Sequence, residues 1–230
     1  MTHPITEAAI RRKMETWARL DLSHLAGLAE LTKTTGLSTR RLRERLSRPG
    51  IRSARLSLGP VYVIWEALDY LYTPRKPGAP FKNPALQAEA EAVLREQSRD
   101  ARKTAYTAAV QAGYPQSIRV DRARWAAADL TDLAGIAELV RLTGYKRRRV
   151  EDVLKQTHAP RKRQLGNGSV WVTVEALNWL YMPKPLGRVR TRDPAAQAQA
   201  LDILARDSEE YRMQMIIEAL APPPDEAACG

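Results

Sequence analysis

Apolar positions along this chain fall into a few regular patterns, and the patterns occur twice. Leu25, Leu28 and Leu31 recur at helical spacing, as do Leu133, Ile136 and Leu139. A glycine, Gly36 or Gly144, then stands where a helix stop calls for a left-handed residue. A second helix is predicted at once, with Ser38 as N-cap and Leu42 and Leu46 as an i, i+4 buried pair, mirrored by Val150 and Leu154. Two short alternating segments follow, Arg55 to Leu58 and Val61 to Ile64, joined at Gly59-Pro60. In the second half of the chain the turn falls at Gly166-Asn167-Gly168, a strong hairpin signal. A third helix over 65–72, or 174–181, ends before a proline.

The duplication is visible in the letters. DLSHLAGLAEL at 21–31 matches DLTDLAGIAEL at 129–139, an offset of 108 residues that also pairs Trp17 with Trp125. VYVIWEALDYLY at 61–72 matches VWVTVEALNWLY at 170–181, and NPALQAEAEAVL at 83–94 matches DPAAQAQALDIL at 193–204. A period this long, present only twice, indicates duplicated domains and not a solenoid. Trp17 and Trp125 are expected in the core of a leading helix; Tyr62 and Trp171 are expected to pack against it, with contact to backbone sugars as the alternative.

Helix, glycine turn, basic helix, hairpin, helix is the order of a winged helix-turn-helix. Residues 28–46, LAELTKTTGLSTRRLRERL, and 136–154, IAELVRLTGYKRRRVEDVL, together with EALDYL and EALNWL, resemble the MerR-like and excisionase-like winged-helix group. The resemblance covers about 50 residues of each copy. It implies a mainly α protein with two tandem winged helix-turn-helix domains, each a three-helix core with a small β-hairpin wing. The cysteine ligands of metal-sensing MerR proteins are absent, so metal sensing is not implied.

The expected divisions are a first winged domain at 1–84, a helical connector at 85–112, a second winged domain at 113–194, a C-terminal helix at 195–220 and a disordered tail at 221–230. Both long helices are Ala-rich. Their apolar stripes, Leu86, Ala90, Val93 and Ala101 in one and Leu201, Leu204, Tyr211 and Met215 in the other, predict packing within the chain. The second long helix has no domain after it and is the candidate dimerisation element, which makes a homodimer through 195–220 a further expectation.

Charge sharpens this picture. The chain carries 37 Lys and Arg against 26 Asp and Glu, net +11. Residues 38–55 hold seven Arg and one Glu, net +6, and residues 146–163 hold eight Lys or Arg with Glu151 and Asp152, again net +6. Everything else is close to neutral. Basic charge placed twice on the second helix and the approach to the hairpin is what neutralising duplex phosphates requires. On the first copy the face away from Leu42 and Leu46 offers Thr39, Arg40, Arg43 and Ser47. Arg40 or Arg43 are the candidates to read guanine, and Arg41, Arg45 and Arg48 lie nearer the backbone. The second copy offers Lys146, Arg147, Arg148, Glu151 and Lys155. Glu151 stands where Arg43 does and can accept from cytosine, so the copies are expected to prefer different half-sites. Ser38, Arg52, Arg55, Arg161, Lys162, Arg163 and Asn167 complete the DNA-contact expectation.

Other classes are disfavoured. Paired acids, a nucleophile–base set, a phosphate loop and a metal cluster are absent from the sequence, so no catalytic residue, cofactor, metal or small-molecule ligand is expected. No apolar run approaches the roughly 20 residues of a membrane span, which predicts a cytoplasmic, nucleoid-associated protein. The partner expected is double-stranded DNA, bound by a sequence-specific regulator or site-organising factor. The alternatives are an architectural factor for excision, replication or plasmid partition, and an adaptor that binds another protein.

Overall fold

The computed structural model describes residues 5–74, 83–116, 118–182 and 194–221. In chain order these form α1 (Glu7–Ala18), a 3-10 turn (Leu22–His24), β1 (Leu25–Ala26), α2 (Leu28–Thr35), α3 (Thr39–Leu46), β2 (Ala54–Leu56), β3 (Gly59–Val63), α4 (Ile64–Leu71) and α5 (Pro84–Gln111). The second series is α6 (Ile118–Ala127), a 3-10 turn (Leu130–Asp132), β4 (Leu133–Ala134), α7 (Ile136–Thr143), α8 (Arg147–Leu154), β5 (Lys162–Leu165), β6 (Gly168–Val172), α9 (Thr173–Leu180) and α10 (Pro194–Leu220). The protein is mainly helical, with two small antiparallel three-stranded sheets ordered β1-β3-β2 and β4-β6-β5.

Local chemistry explains these elements. Gly36 and Gly144 end α2 and α7 at φ 67°, a left-handed conformation that any Cβ would strain. Ser38 Oγ accepts from Arg41 N and starts α3. Leu42 and Leu46, or Val150 and Leu154, are the buried face of the following helix. The first hairpin differs from the sequence reading. Its two-residue turn is Ser57-Leu58, with Leu56 opposite Gly59, so Gly59-Pro60 opens β3 instead of joining the strands.

Two compact units result, and they do not follow the repeats. One, the N unit, comprises Leu20–Thr131 and Arg163–Ser169; the other, the C unit, comprises Met1–Arg19, Asp132–Lys162 and Val170–Gly230. The expected boundary at 112/113 therefore cuts through the N unit, because each leading helix has crossed to the other repeat. In the N unit the core of Leu28, Leu31, Leu42, Leu46, Tyr62, Ile64, Trp65 and Leu68 is closed by Ala105, Ala109 and Tyr114 of the α5 region. There α6 contributes Trp125, 2% exposed. In the C unit, α1 packs on α9 and α10 and contributes Ile10 and Trp17, both fully buried. Tyr62 and Trp171 are buried, as packing residues should be.

The long helices also depart from expectation. Among the described side chains, the buried ones lie in the second half of each helix: Ala105 and Ala109 in α5, and Met213 and Ile216 in α10. Leu86 and Val93 of the first predicted stripe and Leu201 and Tyr211 of the second are about half exposed, contrary to the packing expected of them. The tail expected at 221–230 lies, apart from Ala221, outside the described residues. Among the described residues no helix is long and apolar enough to cross a membrane.

Candidate nucleic-acid interface

In the N unit, α3 turns Leu42 and Leu46 inward, which obliges the intervening positions to face solvent. Thr39, Arg40, Arg41, Arg43, Ser47 and Arg48 are all exposed. The side chains of Arg40, Arg41, Arg43 and Arg48 make no ion pair or hydrogen bond among the described residues. Ser47 Oγ donates back to Glu44 O at 3.2 Å, and Arg55 is exposed on β2. Beside this face lies a recess of about 270 Å³ walled by Thr39, Arg43, Leu58 and the tip of the β5–β6 hairpin.

That tip is already engaged. Gly166 N donates to Glu30 Oε1 at 2.8 Å, while Glu30 Oε2 accepts from Gly27 N at the start of α2. Asn167 Nδ2 donates to Leu58 O at 3.3 Å, and Arg163 donates to Leu25 O at 3.1 Å with its guanidinium 5.0 Å from the Tyr114 ring. Asn167 and Arg163, expected at DNA, thus serve packing within the N unit.

Arg52 and Arg161 are likewise occupied, and in equivalent ways. Arg52 pairs with Glu66 and donates to the carbonyls of Trp125 and Ala128, each at 2.9 Å, and of Ala126 at 3.4 Å, at and just past the C-terminus of α6. Arg161 pairs with Glu175 at 2.7 Å and donates to Trp17 O at 2.7 Å near the end of α1. A cation there also suits the negative end of the helix. The basic stretch therefore contains two kinds of arginine, one kind held by the fold and the other open to solvent.

The C unit presents a different surface. Arg147 bonds Glu151 at 2.8 Å, and this bond holds the Glu151 carboxyl below its usual range. Arg148 lies 3.8 Å from Asp152, and the Arg149 guanidinium stacks 3.9 Å over the Tyr145 ring. Lys146, Lys155 and Lys162 remain exposed. Tyr145 meets Tyr181 edge to face at 6.0 Å, and together with Lys146, Arg148, Trp179 and Tyr211 they line an open groove of about 1090 Å³. Burial above all, then the neighbouring Tyr145, Tyr211 and Glu218, push the Tyr181 phenol up to about 12. The sequence reading missed this aromatic wall, although Tyr145 directly precedes the basic run of α8; Trp179 and Tyr181 stand about 30 residues on, in the third-helix motif.

Among the described residues no three His, Cys, Asp or Glu side chains are placed to hold a metal ion. No family model matches the chain, and comparison with curated proteins and with solved structures finds no match.

Proposed function

We propose that the protein binds double-stranded DNA through the exposed face of α3, with each repeat acting as a winged helix-turn-helix of the MerR-like and excisionase-like kind. One observation carries this reading: Arg40, Arg41, Arg43 and Arg45 on the short helix α3, with Arg48 just past its end, are left without intramolecular ion pairs or hydrogen bonds among the described residues. Holding like charges together on an exposed face costs electrostatic energy that a polyanion relieves. Thr39, Arg40 and Arg43 supply the base-edge donors, and Arg41 and Arg48 the phosphate contacts. The finer role is that of a sequence-specific regulator or site-organising factor acting near the nucleoid.

The C unit favours a second reading for itself. Its α8 cations are largely neutralised by Glu151 and Asp152 or stacked on Tyr145, and the adjacent groove is aromatic. A protein partner fits such a surface better than phosphate does. The deciding experiment is fluorescence anisotropy of the full chain on duplex DNA over a range of salt, with Arg40→Ala/Arg43→Ala beside Arg147→Ala/Arg148→Ala. Steep salt dependence and a larger loss from the first pair support the DNA reading. Salt-independent binding, or equal indifference to both pairs, defeats it.

A further inference from the structure

The two leading helices do not carry the same charges, and neither do the surfaces that receive them. At the repeat offset of 108, Lys13 in α1 corresponds to Asp121 in α6, and Asp132 corresponds to His24. In the C unit Lys13 Nζ pairs with Asp132 Oδ1, and Trp17 Nε1 donates to Asp132 Oδ2 at 3.3 Å; this carboxylate is only 9% exposed. The N unit has no carboxylate at that position. It has His24, 1% exposed, whose Nδ1 accepts from Trp65 Nε1 at 2.8 Å and whose ring lies 6.0 Å from that of Trp125.

A second pair of positions repeats the distinction. Arg122 in α6 pairs with Asp69 of α4, whose other carboxylate oxygen accepts from Tyr106 Oη at 2.5 Å. The counterparts are Met14 in α1 and Asn178 in α9, uncharged on both sides, and they line one shallow pocket of the C unit. Docking each helix on its own repeat would exchange these matches for mismatches. Residue 121, an Asp, would take the place Lys13 holds beside the buried Asp132. Lys13 would face His24, and Met14 in place of Arg122 would leave Asp69 with Arg102, 3.8 Å away, as its cation. An uncompensated charge at a buried site is strongly unfavourable, so wrong pairings are penalised as well as right ones favoured.

We propose that positions 13 and 132, together with 122 and 69, are an address code: each unit accepts the leading helix of the other repeat and rejects that of its own. The repeats are then obligate partners within one polypeptide, which a simple tandem array is not. Arg52 and Arg161 fasten whichever helix is accepted by holding its C-terminal carbonyls, and so supply affinity without discrimination.

The sign of one substitution separates the alternatives. In the full chain, Asp132→Lys places a cation against Lys13 and removes the acceptor of the Trp17 indole, so Tm should fall by about 5 °C or more, and Lys13→Asp/Asp132→Lys should recover most of the loss. With own-repeat docking the new lysine would meet Asp121, Tm would rise, and the double variant would gain nothing; that result overturns the proposal. Should Asp132→Lys not fold, the wild-type chain with a protease site inserted in the turn at 113–116 provides the test. After cutting, each piece holds the helix the other needs, and the pieces should co-elute at the mass of the intact chain until denaturant is added. Separation under native conditions into two folded species would refute the exchange.

Discussion

Replacing Arg52 by Ala should destabilise the protein while leaving intact the DNA contacts proposed for α3, the reverse of what a phosphate-binding arginine would do. The Arg52–Glu66 pair is partly solvated, its side chains 39% and 31% exposed, so on its own it contributes about 0–1 kcal/mol. The three carbonyl contacts weigh more. A hydrogen bond from a charged donor contributes about 1.5–3 kcal/mol when buried, and two good bonds and one long one at a half-wetted site amount to about 2 kcal/mol. The expected loss is thus about 2–3 kcal/mol, a Tm fall of about 4–12 °C for a chain of this length. Arg52→Lys should recover only part, because an ammonium cannot span Glu66 and three carbonyls in one plane as a guanidinium can. Urea unfolding followed by tryptophan fluorescence measures the midpoint, with the slope checked for constancy. If the Arg52→Ala midpoint equals wild type and duplex affinity drops instead, Arg52 belongs to the DNA surface and the carbonyl assignment is wrong.

Further outcomes follow from the same geometry. Arg40→Ala or Arg43→Ala should weaken binding to a selected duplex by about 1–3 kcal/mol and relax its sequence preference, with urea midpoints unchanged; competition with random duplex reads both. Gly166→Val should cost about 1–3 kcal/mol of stability, since a Cβ there would lie 3.2 Å from Ala29 Cβ, and Ala29→Gly should return part of it. Tyr181, held protonated up to about 12 against an ordinary value near 10, contributes stability that is complete below pH 10 and is lost as pH rises through 12. Tyr181→Phe should therefore flatten that stretch of the stability–pH profile.

The sequence carried the local structure well, because local structure is set by neighbours. Helical spacing of Leu28 and Leu31, the cap at Ser38 and the stops at Gly36 and Gly144 each act within a few residues, and each lies where the pattern put it. Trp17 and Trp125 were legible as buried for the same reason. Their destinations were not. An apolar face on a leading helix says that something covers it, and two nearly identical repeats offer two nearly identical covers. The difference resides in single charges such as Lys13 and Asp132, separated by 119 residues. Arg40 and Arg52 were indistinguishable in a run of arginines, since the carbonyls that claim Arg52 lie 73 to 76 residues away. The hairpin turn slipped by two residues because Gly59-Pro60 resembles a turn in composition, while the register places Ser57-Leu58 at the bend.

Sorting the cations by what already holds them changes the electrostatics expected of the whole chain. The two basic segments contain fifteen Lys and Arg. If every one displaced a counterion from duplex phosphates, log affinity would fall against log salt with a slope of about −13. Arg52, Arg161 and Arg163 hold backbone carbonyls, and Arg147, Arg148 and Arg149 are paired or stacked on α8. What remains free of such engagements is Arg40, Arg41, Arg43 and Arg45 on α3 with Arg48 just past its end, which alone give a slope of about −4.5, and adding the exposed Arg55, Lys146, Lys155 and Lys162 gives about −8. Affinity should therefore respond to salt with a slope between those two values. A slope near −13 would mean that the carbonyl-bound arginines release their partners on DNA, at the expense of the helices they fasten. A slope shallower than about −2 would mean that α3 itself does not meet phosphate. Because the intermediate value depends on which arginines the fold has already claimed, the titration tests the division between structural and exposed cations as directly as it tests DNA binding.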